Sequence, residues 1–175
     1  ITSVGTLSGL TVTAGIVGSV TGTAATVTTA AQPAITSVGT LTALSVTGSL
    51  TLGGTTITAT AAELNTYVLN VALDNISAAS SSCFVVAPKA GTITKITSII
   101  DGTTADADAV ITANVNGGTN ITAQITIANG SVATAIDTCT PTDNNTVTAG
   151  QYIKLTTNGG STNTVKAVFT IEITY

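Results

Sequence analysis

Apolar and polar residues alternate along much of this chain. In the first third the alternating stretches are short, as at residues 44–47 and 50–52, and Gly48, Gly53 and Gly54 separate them. Alternation with a period of two is typical of half-buried strands, and the glycines predict turns or bulges between them. Because strands of about four residues are marginal in isolation, we expect this region to need partners.

The second half of the chain alternates more regularly and predicts a β-sandwich. Between residues 92 and 99 the pattern places alternate residues on opposite faces, with Ile93, Lys95, Thr97 and Ile99 on one face and Thr92, Thr94, Ile96 and Ser98 on the other. Further strands are predicted at residues 110–115, 121–127, 152–156 and 165–174. Because turns rich in Gly and Asn separate these short strands, we expect a jelly-roll-like β-sandwich over residues 83–175.

The residues between these regions predict a short helix. Thr60 and Glu63 have the spacing of a capping box, and Ala61, Ala62 and Leu64 are good helix formers. We expect a junction helix over about residues 60–70, followed by a polar connector or an edge strand at 71–82. The predicted division is therefore a repetitive β shaft (1–58), a helix with its connector (59–82) and a β-sandwich tip domain (83–175).

A repeated sequence marks the first region. The heptad ITSVGTL occurs at residues 1–7 and again at 35–41, and matching apolar residues follow each copy, as with Val12 and Val46. Repeats of this kind usually bury their apolar faces only against neighbours. Since no charged residue precedes Glu63, an isolated chain would expose a long uncharged strand edge, which is prone to aggregation. The repeat therefore predicts an intertwined homo-oligomer, and we expect a homotrimer.

The composition favours an all-β chain and limits its partners. Only 7% of the 175 residues are charged, the net charge is −4, and the β-branched residues Thr, Val and Ile are abundant. The basic residues are Lys89, Lys95, Lys154 and Lys166, which are too scattered to neutralise nucleic-acid phosphates. No apolar run approaches the roughly 20 residues of a membrane-spanning helix. We expect neither nucleic-acid binding nor membrane insertion.

The chain offers little for catalysis. It contains no His, which removes Ser-His and Cys-His activation of a nucleophile as well as imidazole metal ligands. Asp101, Asp106 and Asp108 form an acidic cluster, which we interpret as a solvated turn because it lacks the spacing of an EF-hand calcium loop. We expect no enzymatic activity, no metal and no cofactor.

Two cysteines, Cys83 and Cys139, allow two interpretations. They can form one disulfide that closes a long loop, which would suit an extracellular particle. Alternatively, each is a free thiol that is buried as a small hydrophobic side chain. The sequence does not decide between these interpretations.

Recognition of a receptor is expected to lie in the loops of the tip domain, because loops on a rigid scaffold commonly carry binding residues. The candidate loops are 116–120, 143–146 and 158–163. Their candidate receptor-binding residues are Asn116, Asn120, Asn144, Asn145, Asn158 and Asn163. Exposed aromatic side chains with polar neighbours would suit sugar binding, but we expect Phe84 and Phe169 to fill the sandwich core instead.

Two parts of the chain resemble bacteriophage proteins. Shaft repeats of phage tail and head fibre proteins resemble residues 32–65, QPAITSVGTLTALSVTGSLTLGGTTITATAAELN. A β-sandwich domain that recurs in phage virion proteins resembles VVAPKAGTITKITSIIDG at residues 85–102 and NTVTAGQYIKLTTNGGST at 145–162. This resemblance implies a trimeric, elongated virion appendage used for host attachment or for decoration of the particle. It implies no catalytic residues.

We therefore expect a structural or adhesive virion fibre on the surface of an extracellular particle. Its partners would be copies of itself, other virion proteins and a glycan or protein of the host cell surface. The alternative is a subunit of a cellular surface filament, a pilus, in which the N-terminal segment donates a strand to the next subunit. A glycan-degrading spike is a third hypothesis, which the lack of a recognisable catalytic site disfavours.

Overall fold

The computed structural model describes residues 40–77 and 81–175, and the regular secondary structure of these residues is β-strand except for one four-residue helix. The expectation of an all-β fold is thereby confirmed. Most of the predicted shaft, including the first copy of the ITSVGTL repeat, lies outside the described residues. The chain divides into two units, Ile1–Gly48 and Ser49–Tyr175.

The described end of the first unit, residues 40–48, contains no regular secondary structure, and each of these residues is exposed. The single chain forms no strand at residues 44–47, and the strand predicted there for the assembled oligomer stays a prediction. Leu44 is 67% exposed, and no strand of the described residues lies beside it to cover its side chain. A short alternating stretch cannot complete its backbone hydrogen bonds without a neighbouring strand.

The second unit begins with a small hairpin, in which β1 (Thr51–Leu52) pairs with β2 (Thr55–Thr56). Gly53 and Gly54 form its two-residue turn with φ angles of 57° and 83°. Positive φ at both turn residues is the geometry that favours Gly in tight hairpins. The predicted turn at these glycines is confirmed, although every residue of the hairpin strands is exposed.

The helix exists but is shorter than predicted. It spans Ala61–Leu64 (α1), and both arms of the capping box are present: the Glu63 amide donates to the Thr60 hydroxyl at 3.2 Å, and the Thr60 amide donates to the Glu63 carboxylate at 2.7 Å. The backbone amide and the hydroxyl of Thr60 both donate to the ionised Glu63 carboxylate, and these hydrogen bonds lower the pKa of Glu63. The prediction that the helix reaches residue 70 is wrong, because Thr66–Leu73 forms strand β3.

Nine strands build the sandwich. They are β3 (Thr66–Leu73), β4 (Ser82–Val86), β5 (Gly91–Ile100), β6 (Ala109–Val115), β7 (Ile125–Ile127), β8 (Ile136–Cys139), β9 (Thr146–Val147), β10 (Tyr152–Thr157) and β11 (Ala167–Thr174). The strands predicted at 110–115, 152–156 and 165–174 are confirmed to within two residues at each end. The strand predicted at 121–127 is reduced to its last three residues.

These strands form two antiparallel sheets. The first sheet has the order β4-β10-β6-β7, and the second has the order β3-β11-β5-β8 with β9 also paired to β5. The chain crosses from one sheet to the other at most of its connections, so that non-consecutive strands are neighbours in each sheet. This strand order is that of a jelly roll, a sandwich of two Greek keys.

A β-bulge in β5 changes which of its residues face the core, compared with the prediction. Lys95 pairs with Glu172 and Ile93 pairs with Ile173, so Thr94 is an extra residue opposite the β11 strand. The extra residue reverses the alternation: Ile93 and Ile96 both face the core, whereas Ile99 is 41% exposed. The prediction that Ile93 and Ile99 share a face is therefore wrong, since a simple period of two assumes an unbroken strand.

The core lies between the two sheets and is built mainly from Ile, with Ala as the next most frequent residue. The second sheet contributes residues such as Ile96 and Ile171, and the first contributes residues such as Ile153 and Leu155. Phe169 is fully buried, which confirms its predicted place in the core. Alternating inward and outward residues on each strand explain why one face of each sheet is apolar and the other is open to solvent.

Candidate functional site

The six asparagines predicted to bind a receptor lie at the two ends of strands β6 and β10. Asn116 and Asn120 follow the end of β6, where Asn116 donates its amide to the Tyr152 carbonyl at the start of β10. Asn158 and Asn163 follow the end of β10, where the Asn158 amide donates to the Val110 carbonyl at the start of β6. The structure therefore does not bring all six residues into one site.

At the first end, two loops meet and form an open polar cleft of about 360 Å³. The Asn144 side-chain amide donates to the Asn120 carbonyl at 3.3 Å, which ties the loop 143–146 to the loop 116–120. Both Asn116 and Asn144 have positive φ, at 52° and 55°, a conformation that Asn adopts more readily than most residues. The cleft is lined by Val115, Gly118, Thr119, Asp143, Asn144, Thr146 and Gln151.

Asn145 belongs to this end but serves the fold. It is only 9% exposed, and its side-chain amide donates to the Ile93 carbonyl at 2.8 Å and to the Pro141 carbonyl at 3.1 Å. A buried amide with its donors occupied holds the loop against strand β5 and is poorly placed to meet an external ligand. Its predicted receptor-binding role therefore has no support in this geometry.

At the opposite end, the asparagines also hold loops together. The side-chain oxygen of Asn158 accepts hydrogen bonds from the Val110 amide at 2.9 Å and from the Gly160 amide at 3.0 Å. The Asn163 side-chain amide donates to the Thr103 carbonyl at 2.8 Å. These side chains satisfy backbone groups of neighbouring loops, as Asn commonly does in turns.

The acidic cluster lies near this second end, and its carboxylates also accept hydrogen bonds from neighbouring loops. Asp101 accepts from the Lys166 backbone amide, Asp108 accepts from the Asn129 amide, and Asp106 accepts from the Thr162 hydroxyl. In the part of the chain that the structure describes, no group of three or more acidic or Cys side chains is arranged to hold a metal ion.

Phe84 is on the surface, contrary to the prediction that it fills the core. It is 57% exposed on strand β4, next to Val86 at 58%. Its strand neighbours Cys83 and Val85 point inward and pack on or within the core, so the alternation of β4 turns Phe84 outward. Sequence reasoning assigned Phe84 to the core from its hydrophobicity alone, although its place between two inward residues of the strand contained the opposite signal.

Phe84 belongs to an aromatic and cationic cluster on the outer face of the first sheet. The Phe84 and Tyr152 rings meet edge to face, with centroids 5.6 Å apart and an interplanar angle of 69°. The ammonium of Lys154 lies 5.9 Å from the centroid of the Phe84 ring. We call Phe84, Val86, Tyr152 and Lys154 the aromatic platform.

The platform adjoins the polar cleft. The sheet register pairs Phe84 with Lys154 and Lys154 with Asn114, and a bridge joins Asn114 to Asn120. These four residues form one row across the outer face, roughly 14 Å long at the usual strand spacing. The Tyr152 hydroxyl lies beside Gly117, in the loop that lines the cleft. Aromatic, cationic and amide groups thus form one continuous surface.

Cys83 and Cys139 are both buried free thiols in this structure, one on β4 of the first sheet and the other on β8 of the second. Burial raises the pKa of the Cys83 thiol to about 11 and also raises the pKa of Cys139. Buried protonated thiols are chemically inert. This arrangement corresponds to the interpretation in which each cysteine packs as a small hydrophobic side chain.

Comparisons with protein-family models and with curated proteins returned no match to this sequence. Among the helices of the described residues, none has the length and apolar character needed to cross a membrane.

Proposed function

We propose that this protein is a structural and adhesive fibre component of a bacteriophage virion. In this proposal the chain assembles as a homotrimer on the surface of the extracellular particle. Its N-terminal repeats form an intertwined shaft, and the jelly-roll unit forms a tip that attaches to the host or decorates the particle. The other partners would be virion proteins and a host surface glycan or protein.

One observation carries this proposal. Residues 40–56 are all exposed in the single chain, and they include five large aliphatic side chains but no charged residue. These side chains are Leu41, Leu44, Val46, Leu50 and Leu52, between 40% and 67% exposed. Because these side chains are about half exposed, burial of the remaining surface of each would contribute roughly 1 kcal/mol. Copies of the same chain that pair along this segment would supply both that burial and the missing strand partners.

The outer face of the second sheet also supports self-association. The register places Ala72 beside Val168, Val168 beside Ile99, and Ile99 beside Ile136. These residues form an apolar row across four strands, and the exposure of its larger members is 39% for Val168, 41% for Ile99 and 63% for Ile136. A contiguous exposed apolar row across four strands is typical of surfaces that contact another protein.

The strand order of the tip unit is compatible with this role. Jelly rolls are found in viral capsid and lectin domains, although a shared fold by itself is only an analogy for function. The strand order also bears on the pilus alternative. The sandwich contains its own complement of jelly-roll strands, including β3 at the edge of the second sheet, so it has no vacant strand position that a neighbouring subunit must fill.

Catalysis is not part of the proposal. The sequence contains no His, and the carboxylates of Asp101, Asp106 and Asp108 accept hydrogen bonds from neighbouring loops. We expect that incubation with host polysaccharide releases no oligosaccharide.

The mass and shape of the particle formed by the full chain test the proposal. We expect light scattering to give the mass of three chains and electron microscopy to show an elongated particle. The double substitution Leu44→Asp with Leu50→Asp should reduce the mass, because it places charge in the proposed interface. A matched control, Ser45→Asp with Ser49→Asp, adds the same charge at polar positions and should keep the three-chain mass.

Two results would contradict the proposal. A full chain that remains a monomer at micromolar concentration would remove the trimeric shaft. An open polymer of indefinite length would instead favour the pilus alternative, because head-to-tail contacts that do not close produce filaments.

A further inference from the structure

We propose that the outer face of the first sheet, from the aromatic platform to Asn120, is a binding surface for the pyranose rings of a glycan. This inference extends the adhesive part of the proposed function and rests on it. It assigns the platform as the place where a sugar ring stacks, and the row from Lys154 to Asn120 with the adjoining cleft as the place where its hydroxyl groups are bound.

The aromatic residues supply the stacking surface. Phe169, the other Phe of the chain, is fully buried in the core, whereas the Phe84 side chain is 57% exposed. Tyr152 supports it edge to face, with ring centroids 5.6 Å apart, which holds the Phe84 ring in a defined orientation. The face of an aromatic ring carries negative charge density, and the C–H groups on one face of a pyranose carry the complementary partial positive charge.

The neighbouring residues supply the hydrogen bonds that a sugar requires. Sugar hydroxyls both donate and accept, which matches the mixed donors and acceptors of Asn side chains and the donors of a Lys ammonium. In the row that starts at Phe84, Lys154 and Asn114 are half-buried and Asn120 is exposed. The Asn114 side chain donates to the Asn120 side-chain oxygen at 3.5 Å and accepts from the Gly117 amide at 3.2 Å, so it orients Asn120. The Asn120 side-chain amide and the Lys154 ammonium supply the donors for a sugar. Among the described residues Lys154 forms no ion pair, so no carboxylate competes with a ligand for its ammonium, which lies beside the Phe84 ring.

The cleft extends this polar row. Thr119, Asn144 and Gln151 line it with neutral hydrogen-bonding groups, and Asp143 adds one carboxylate. Ligand sites combine an apolar surface with a few convergent polar groups that fix orientation. A platform that holds one ring and a cleft that holds the next fits an oligosaccharide of at least two units better than it fits a single sugar.

Other occupants fit this face less well. A stable protein interface buries about 800 Å² on each partner around an apolar centre, whereas here the apolar part ends at Phe84, Val86 and Tyr152, and amides follow. The apolar row on the opposite sheet is the better candidate for contact with a second copy. Nucleic acid would need several cations, and Lys154 is the one cation of the platform.

The experiment uses the full chain and an array of bacterial surface polysaccharides and their oligosaccharide fragments, followed by calorimetry and saturation-transfer NMR with the bound fragments. We expect binding to glycans of two or more pyranose units. Phe84→Ala should weaken it at least tenfold, and Phe84→Tyr should retain it because the ring is kept. Val132→Ala, at an apolar position of similar exposure (62%) in the loop before β8, is the matched control and should bind as the native chain does.

Three results would overturn the inference: no glycan bound by the native chain on the array, unchanged affinity of Phe84→Ala, or a change in oligomeric mass caused by Phe84→Ala, which would make the platform an interface between copies. Light scattering on each variant also separates this inference from the proposed fibre. If the chain is a trimer that binds no glycan, only the proposed glycan-binding surface is contradicted. If the chain is a monomer that binds glycan through Phe84, only the proposed fibre function is contradicted.

Discussion

Individual asparagine side chains in the sandwich serve several different purposes. Asn116 and Asn144 occupy positions with positive φ, Asn145 anchors a loop to strand β5, and Asn158 bridges the start of β6. Asn120 and Asn144 remain exposed beside the polar cleft. A cluster of Asn in predicted loops therefore indicates turn chemistry first, and only the neighbours of each residue in space separate anchoring residues from those that face a ligand.

The cysteines carry a prediction at the same scale. Because burial raises the pKa of Cys83 to about 11 and that of Cys139 as well, we expect the native chain at pH 8 to react with a thiol reagent at least about tenfold more slowly than the unfolded chain. Reaction of the native protein should accelerate as the pH is raised toward 11, since the thiolate fraction then increases. Reagent kinetics with and without urea measure both effects.

The same titration separates the two interpretations of these residues. Two thiols for each chain in urea, without any reductant, would establish that both cysteines are free. No reactive thiol in urea until a reductant is added would establish the disulfide between Cys83 and Cys139. The same protein treated with reductant serves as the control.

Among the elements, strand β5 is the one whose pattern is most misleading. Its sequence alternates without an evident interruption, yet the extra residue Thr94 shifts the pairing with β11 between Glu172 and Ile173. As a consequence, odd-numbered residues face the core before the bulge and even-numbered residues face it after the bulge. Bulges of this kind depend on how a strand must bend to follow its neighbours, which is a property of the sheet and not of the single strand.

A pair of substitutions in β5 tests the bulge. Ile93→Ala should destabilise the fold by about 2–5 kcal/mol, because it removes a fully buried side chain and leaves a cavity. Ile99→Ala should cost less than about 1 kcal/mol, because that side chain is 41% exposed on the outer face. Urea unfolding of both variants provides the measurement. Equal losses of stability at the two positions would show that they share a face and that the bulge is absent.

At the scale of the whole molecule, the main difference between the predicted and the observed structure is the residue at which the sandwich begins. Strand β3 pairs with β11 along eight residues, from Thr66 with Thr174 to Ala167 with Leu73. Leu73 is buried, and Tyr67, Leu69 and Val71 pack against the core from the same face of the strand. The unit Ser49–Tyr175 therefore includes residues that the sequence pattern assigned to a helix and a connector.

Truncation tests this boundary. We expect a chain of residues 60–175 to unfold cooperatively, whereas a chain of residues 83–175 should lose cooperative unfolding, because it lacks the core contacts of β3 and leaves the edge of β11 unpaired. Thermal unfolding followed by circular dichroism and the dispersion of amide NMR signals measure the difference. A cooperative transition in the shorter chain at the same temperature as in the longer one would contradict the role assigned to β3.

The sequence by itself determined the features that depend on neighbours along the chain. It predicted the all-β class from its β-branched residues, the turn at Gly53 and Gly54, and the start of helix α1 from Thr60 and Glu63. It also predicted three of the strands within two residues. Capping, tight turns and strand periodicity are set by local hydrogen bonds and backbone preferences, so a few adjacent residues contain enough information.

Only the tertiary structure decided the features that depend on residues distant in sequence. The helix ends early because β11 provides Thr66–Leu73 with a strand partner, and the bulge in β5 is visible only against Glu172 and Ile173. Likewise, the row from Phe84 to Asn120 exists because pairing of four separate segments places a ring, an ammonium and two amides side by side. Burial and register are collective properties of the sheets, and therefore no single stretch of this chain specifies them.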